Sequence, residues 1–233
     1  TAVIVLPWHD PVLLAEQAAT VDLLSGGRLD FGIGKGYRHN EFAGFRIPME
    51  EATDRFEESI DIITKSWTSN ERFSFHGRFW QYDDIVVEPP TNQKPHPPFW
   101  QGAGHLDSIR RVAARGHNLL LDQFASLDDT IGRFHIYRDA MIANGFGFDP
   151  NQVGVARAFF VADTQAEKEA AIDRRIAGQR RPHGISQRPD GTNTASIMAF
   201  ADTREASEES ALYGTPDEIC RKVEKLRAAG VEY

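Results

Sequence analysis

Glycines alternate with other residues in the segment Gly32–Tyr37, at the carboxyl end of the predicted strand Arg28–Gly34. Glycine has no Cβ atom, so a ligand or another stretch of chain can approach the backbone closely at Gly32, Gly34 and Gly36. The spacing differs from the dinucleotide-binding fingerprint, and no Gly-Lys-Ser or Gly-Lys-Thr follows to form a phosphate-binding P-loop. A tight turn and a ligand-binding turn are both compatible with this pattern.

A second group of small residues, Gly102–Gly104, lies between a predicted strand and a predicted helix. The backbone N–H groups at the start of a helix bind phosphate groups, and small residues before that start favour such a site. Asp107 provides the alternative, because an aspartate at the N-cap would accept those hydrogen bonds itself.

Basic side chains gather in one stretch of an otherwise acidic chain. As a mobile lid, this stretch could hold an anionic substrate and close over a site. A solvated basic loop or a contact between subunits also explains it. The set comprises Arg174, Arg175, Arg180, Arg181, His183 and Arg188, of which Arg180, Arg181 and His183 are the candidates for substrate contact.

The eight histidines are scattered, and neither H-E-x-x-H nor another paired metal-ligand spacing occurs, so a catalytic metal has no support. His9 follows the end of a predicted strand, where an α/β barrel places its chemistry, and is a catalytic candidate on that ground. The G-x-S-x-G elbow of hydrolases is missing from the sequence, so a hydrolase triad has no anchor.

Composition restricts the class of protein. The 233 residues are 41% hydrophobic and 26% charged, as in a globular protein, and carry a formal net charge of -8, which argues against a nucleic-acid partner. No apolar run is long enough to cross a bilayer, and no secretory signal stands at the first residue. The one cysteine, Cys220, fits a reducing, cytoplasmic location and an inert packing role.

Strand and helix patterns alternate along the chain, which predicts a parallel sheet covered by helices. The predicted strands are Thr1–Leu6, Arg28–Gly34, Phe99–Gly102, Asn118–Asp122, Val153–Val161 and the start of one at Val231–Tyr233, with a hairpin over Arg72–Val87. The predicted helices are Pro11–Leu24, Asp54–Trp67, Leu106–Arg115, Asp128–Asn144, Thr164–Ile176 and Asp217–Ala229.

Two further stretches lack a regular pattern. Lys35–Pro48 is predicted to be a loop. Ala177–Leu212 is polar with little periodicity, and we expect it to be a long insertion, because irregular stretches of this length inside a domain are usually functional or mobile. Residues 1–233 are otherwise expected to form a single domain.

Three segments together resemble the bacterial-luciferase-like family of flavin-dependent oxidoreductases. The resemblance covers nearly the whole chain and is weakest in Ala177–Leu212. The closing GTPDEICRKVEKLRAAGVEY is similar to the family's last helix and the start of its last strand. The three segments are TAVIVLPWHDPVLLAEQAATVDLLSGGRLDFGIGKG, NEFAGFRIPMEEATDRFEESIDIITKSW and PHPPFWQGAG.

The resemblance implies a TIM (β/α)8 barrel with insertions. Thr1–Leu6 matches the third barrel strand and Arg28–Gly34 the fourth, so we expect the first two strands to be absent from this sequence and the last to be truncated. The natural protein is then expected to extend at both ends. Ala177–Leu212 matches the family's variable lid region.

The resemblance also implies a cofactor, reduced FMN or, in some branches, the deazaflavin F420. Ala2 and Val3 match the strand that lies against the flavin ring, and Gly34 and Gly36 match the end of the next strand near that ring. Gly104, His105 and Leu106 match the phosphate-binding turn, where many relatives have serine. Ala156 and Ala158 stand where several relatives carry histidine or arginine, so that acid–base role does not carry over.

The activity implied is a monooxygenase that oxidises a small organic substrate with reduced FMN and O2, the flavin being supplied by a separate reductase. An F420-dependent dehydrogenase or reductase, a non-catalytic flavin-binding subunit and an unrelated open-sheet binding protein are the alternatives. Helix Pro11–Leu24 matches one that pairs subunits in the family, which implies a homodimer or a higher oligomer. No nucleic-acid or membrane partner is expected.

Overall fold

The computed structural model describes residues 1–186, 188–191 and 203–232, without the side chains of residues 181–183 and 185. The chain divides into two compact units, Thr1–Gln101 and Gly102–Tyr233, which are described separately below. No helix in the described part of the chain is long and apolar enough to span a bilayer. The expectation of one domain over residues 1–233 stays a prediction.

The first unit is built on three parallel strands, β1 (Ile4–Val5), β2 (Phe31–Gly34) and β5 (Phe99–Gly102), which pair in that order. The register places Ile4 beside Ile33 and Phe31 beside Phe99. Strands β3 (Phe73–His76) and β4 (Gln81–Ile85) form an antiparallel hairpin. The helices are α1 (Pro11–Ser25), α2 (His39–Gly44) and α3 (Ala52–Thr68).

Helix α1 starts and stops where its sequence requires. The carboxylate of Asp10 accepts hydrogen bonds from the backbone N–H groups of Val12 and Leu13, and Pro11 occupies the first helical position. Gly26 ends the helix in the left-handed conformation with a φ of 68°. The predicted bounds are therefore confirmed to within one residue.

Helix α3 closes the core of this unit against α1 and the sheet. Its buried stripe includes Phe56, Ile60 and Ile63, and the Trp67 indole donates a hydrogen bond to the Ala15 carbonyl at 3.0 Å. The helix predicted over Asp54–Trp67 is confirmed to within two residues, because apolar residues recur on one of its faces.

The β3–β4 hairpin is fixed to α3 by one carboxylate. Glu58 accepts hydrogen bonds from the backbone N–H groups of Arg78, Phe79 and Trp80, each at 3.0 Å. Glycine is required at position 77 because a Cβ there would collide with the Glu58 carboxylate. A charged acceptor that serves three donors determines where the hairpin sits.

We expect Glu58→Ala to lower the free energy of unfolding by about 2 kcal/mol, because three backbone donors lose a charged acceptor. Urea denaturation of the full-length protein measures this change. Asp61→Ala removes an exposed carboxylate from the same helix and serves as the control, with an expected change within about 0.5 kcal/mol. Equal losses in the two variants would contradict the role given to Glu58.

The second unit contains two separate parallel strand pairs. Strand β6 (Asn118–Leu121) pairs with β7 (Val153–Val155), and β8 (Phe159–Val161) pairs with β9 (Leu212–Gly214). The helices are α4 (Leu106–Ala114), α5 (Leu127–Ala143), α6 (Gln165–Ser186), α7 (Arg204–Ser210) and α8 (Pro216–Ala228). The core around β6 consists mainly of Ile109, Val112, Leu119, Leu121, Phe134, Tyr137, Met141 and Leu226.

Predictions of secondary structure were wrong in several places. The run Val153–Val161 is not one strand, because β7 pairs with β6 whereas β8 pairs with β9, and Ala156–Ala158 connects them. The loop predicted over Lys35–Pro48 contains the short helix α2, whose single buried side chain, Phe42, is too little to produce a helical pattern.

The insertion expected over Ala177–Leu212 is also corrected. Helix α6 continues to Ser186 instead of ending at Ile176, and α7 and β9 lie at the C-terminal end of the predicted insertion. The buried residues described in α6 are Ala171, Ile172, Arg175 and Ser186. Two of these four are polar, which hides the helical period of apolar residues. Residues 187 and 192–202 of the insertion lie outside the described residues.

Candidate functional site

The first residues of the chain lie directly along β2. The Thr1 amino group donates to the Asp30 carbonyl at 2.7 Å, and its hydroxyl donates to the Gly32 carbonyl at 2.7 Å. The peptide bond between Ala2 and Val3 is cis. Ala2 and Val3, predicted to lie against a flavin ring, are exposed at the surface of the first unit.

The glycines of β2 and the turn after it are required by this close approach. A Cβ on Gly34 would lie 2.7 Å from Cγ2 of Val3. Gly36 has a φ of 84°, and a Cβ there would lie 2.7 Å from Cγ1 of Val5 and 2.9 Å from the Phe42 ring. Contacts within the protein are therefore sufficient to explain the glycine pattern, and its role in ligand binding stays a prediction.

Gly36→Ala is expected to lower the free energy of unfolding by about 3 kcal/mol, because the new methyl group meets two neighbours and a positive φ disfavours alanine. The measurement is urea denaturation without any flavin, so that a lost ligand contact cannot contribute.

Gly44→Ala is the matched control, because open space surrounds that position at the end of α2. Its expected change is within about 0.5 kcal/mol. A stable Gly36→Ala variant would show that the turn is not determined by packing and would favour the purely ligand-binding interpretation.

An aromatic group follows β1 and is formed by Trp8, Phe42 and Phe45. The Trp8 and Phe45 rings are stacked, with centroids 5.0 Å apart and planes 24° apart, and Trp8 meets the buried Phe42 edge-on at 5.4 Å. The Trp8 indole N–H is buried without a hydrogen-bond acceptor among the described residues. Sequence reasoning missed this group, because Trp8 is at least 34 residues away from Phe42 and Phe45.

His9 lies beside this group, after the end of β1. Its side chain is exposed, while neighbouring atoms remove enough water from the imidazole to lower the pKa below its usual value. The next residue, Asp10, accepts a hydrogen bond from the Tyr82 hydroxyl at 3.0 Å as well as capping α1. The His9 imidazole is therefore mainly neutral near pH 7. Its catalytic role stays a prediction.

In the second unit, the turn before α4 leaves the start of that helix open. The Ala103 N–H bonds to the Leu120 carbonyl at 3.2 Å, and the N-cap residue, His105, provides no side-chain hydrogen bond to the helix. Asp107 is not the N-cap, contrary to the alternative weighed above. It lies inside the first turn and pairs with Arg110 at 3.1 Å.

The chemistry of this turn fits a phosphate group. Gly104 is half-buried, His105 and Leu106 are exposed, and the first N–H groups of α4 receive no side-chain cap. A helix start of this kind provides oriented donors and the positive end of the helix dipole.

The basic residues of α6 differ in burial and in their partners. Arg175 is buried, and it donates to the Gln123 carbonyl at 3.1 Å and to the Ser210 hydroxyl at 3.3 Å. Burial lowers its pKa. Arg180 is exposed, while the side chains of Arg181 and His183 lie outside the described residues. Arg175 therefore fixes structure, and only Arg180 of the described candidates is placed at the surface.

A charged network that sequence reasoning missed lies after β6. The Asp122 carboxylate accepts from the N–H groups of Phe124 and Ala125 and pairs with Arg133 at 3.1 Å. Arg157, the residue between the two alanines noted above, donates to the Asp122 carbonyl at 2.9 Å. The available signal was the position of Asp122, directly after a buried strand.

Among the described residues, no three or more metal-ligating side chains lie close enough together to hold a metal ion. The sequence as a whole matches the family described as luciferase-like monooxygenase over residues 1–233. The chain belongs to this family.

Similarity to individual proteins agrees with this membership. The FMNH2-dependent dimethylsulfone monooxygenase of Pseudomonas putida is 28% identical over 97% of this chain and 65% of its own length. The oxygenase component of a flavin-dependent trigonelline monooxygenase of Acinetobacter baylyi is 26% identical over 74% of this chain and 48% of its own length.

A crystal structure of a Streptomyces bottropensis monooxygenase has a TM-score of 0.81 and 25% identity, covering 100% of this chain and 68% of that one. The predicted fold class, an α/β barrel of the luciferase-like TIM type, is confirmed by this likeness and by the family match. The chain spans about half to two-thirds of the length of the curated relatives it matches.

Proposed function

We propose that this protein is the oxygenase of a two-component, FMNH2- and O2-dependent monooxygenase that acts on a small organic substrate. The observation that carries the proposal is the start of α4, which the N-cap side chain leaves uncapped. The family resemblance assigns the phosphate-binding turn to these residues. The relatives described by name as FMNH2- or flavin-dependent support the choice of FMN.

In this proposal the phosphate group of FMN accepts hydrogen bonds from the first N–H groups of α4, next to Gly104, His105 and Leu106. In the first unit, the exposed segment Ala2–Val3 and the turn at Gly34 and Gly36 are the residues that the family resemblance assigns to the flavin ring. Bound reduced flavin supplies the electrons that activate dioxygen. The protein's own contribution is to bind, orient and exclude water, which explains why the sequence holds no recognisable catalytic triad.

His9 has a defined part in this account. Because its lowered pKa keeps the imidazole mainly neutral at pH 7, it can accept a proton there without first losing one. Asp122, after β6, and Arg157, after β7, act as positioning groups, since each is engaged in hydrogen bonds to the backbone.

His105→Asp tests the phosphate assignment with two opposite effects. An aspartate at the N-cap should stabilise α4 by about 1 kcal/mol. The same carboxylate would compete with the phosphate for the helix donors and repel it, so we expect reduced FMN to bind about tenfold more weakly. Anaerobic titration of the full-length protein measures the affinity.

Reduced riboflavin, which lacks the phosphate, is the control ligand. It should bind the unsubstituted protein and the His105→Asp protein equally. His105→Asn provides a cap without the charge, so its effect on FMN should be smaller. Unchanged FMN affinity in a stabilised His105→Asp protein would contradict a phosphate at this helix.

The exposed Arg180 supports a further part of the proposal, an anionic or polar substrate held by α6. Replacing Arg180 and Arg181 by alanine should raise the KM for such a substrate severalfold, because a charged partner is lost, and should leave kcat nearly unchanged. Steady-state kinetics with saturating reduced FMN measures both constants. Unchanged KM and kcat would remove these arginines from the site.

A separate flavin reductase as the electron donor and a homodimer complete the proposal. Helix α1 supports the dimer, because Leu13, Val21 and Leu24 are at least half exposed and lie on one face of it. Sedimentation of the full-length protein as a monomer at micromolar concentration would contradict the dimer.

A further inference from the structure

Phe45 is an exposed aromatic residue held by a rigid turn. Its side chain is 60% exposed, while its backbone N–H bonds to the Glu41 carbonyl at 3.0 Å. The turn continues with Arg46 at a φ of 57° and an Ile47 N–H bonded to the Phe42 carbonyl at 3.0 Å. The ring therefore starts from a backbone that has little freedom to withdraw it from solvent.

One face of the Phe45 ring is covered and the other is open. The stacked Trp8 indole covers the first face, and Trp8 itself rests edge-on against Phe42, which is 1% exposed. The stack is thus supported from the core outward, from Phe42 through Trp8 to Phe45. Because offset stacking is favourable for a further ring, the open face of Phe45 can receive one.

The stack lies next to the turn proposed to face the flavin ring. The Phe42 ring and Val5 leave no room for a side chain on Gly36, so the base of the stack is in contact with that turn. A single exposed apolar residue is ordinary in a soluble protein. A preformed aromatic stack at the carboxyl end of two parallel strands indicates a binding site, because binding sites of α/β folds occur at that end.

We propose that the open face of Phe45, backed by Trp8, binds a planar aromatic ring of the substrate. This inference rests on the proposed function, because it places the ring beside the turn assigned to the flavin. Trp8 acts as a positioning residue, since it contacts Phe45 and not the ligand. Stacking requires a flat π-system, so a saturated ring of the same size and charge should bind more weakly.

Benzoate and cyclohexanecarboxylate are a matched pair of probes. They carry the same charge, and the saturated ring is the more apolar, so a preference for benzoate cannot come from the hydrophobic effect. We expect the full-length protein to bind benzoate about three- to tenfold more tightly, as measured by calorimetry.

Phe45→Leu should abolish this preference while keeping an apolar side chain, and Phe45→Trp should retain it. Phe159→Leu, which removes a similarly exposed phenylalanine from β8, should keep the preference of the unsubstituted protein. Reduced FMN should bind the Phe45→Leu protein as tightly as the unsubstituted one.

A protein that does not bind benzoate, or binds both probes equally, would overturn the inference, as would a preference that survives in Phe45→Leu. Failure of the proposed function looks different, because reduced FMN would then not bind the unsubstituted protein, whatever the ring preference. Measuring FMN and the two carboxylates on the same samples separates the two failures.

Discussion

The close approach of residues 1–5 to β2 is the constraint on which the arrangement of the first unit depends. There is no room for a side chain on Gly32, Gly34 or Gly36, because Thr1, Val3 and Val5 lie against them. The glycines in and after β2 thus allow residues 1–5 to pack against that strand. The same lack of a side chain on Gly36 lets Phe42 lie against it, and Phe42 in turn supports Trp8.

Buried polar groups fix the loops that hydrophobic packing leaves undetermined. Glu58 holds the hairpin tip. The buried Asp22 accepts hydrogen bonds from the Gln93 backbone at 2.9 Å and from its side chain at 2.7 Å, which ties the proline-rich segment Glu88–Pro98 to α1. Arg175 does the same for α6 and α7. Such groups specify position because leaving any of their partners unpaired is costly.

Regular elements were predictable from sequence where apolar periodicity and capping agreed. Helices α1 and α3 and strand β5 lie at or within two residues of their predicted bounds. Helix α6 was predicted too short because Arg175 and Ser186 lie in its buried stripe, and Val153–Val161 was predicted as one strand because pairing partners cannot be read from apolar residues alone.

The candidate site was predictable only in part, for a related reason. The glycines and the turn before α4 are local patterns, so sequence could suggest them and the family resemblance could interpret them. The Trp8–Phe45 stack and the Asp122–Arg157 contact join residues 35 or more positions apart. Nothing in the local sequence of either partner reveals such a contact, which exists only once the fold is formed.

The most direct test of a flavin-dependent oxygenase is an anaerobic titration of the full-length protein with reduced FMN and reduced F420, followed by a pulse of oxygen. The account predicts tight binding of reduced FMN, weak binding of F420, and oxygen uptake by the FMN complex. Preference for F420 without oxygen uptake would contradict it and indicate a dehydrogenase, and binding of neither cofactor would indicate a protein without flavin chemistry.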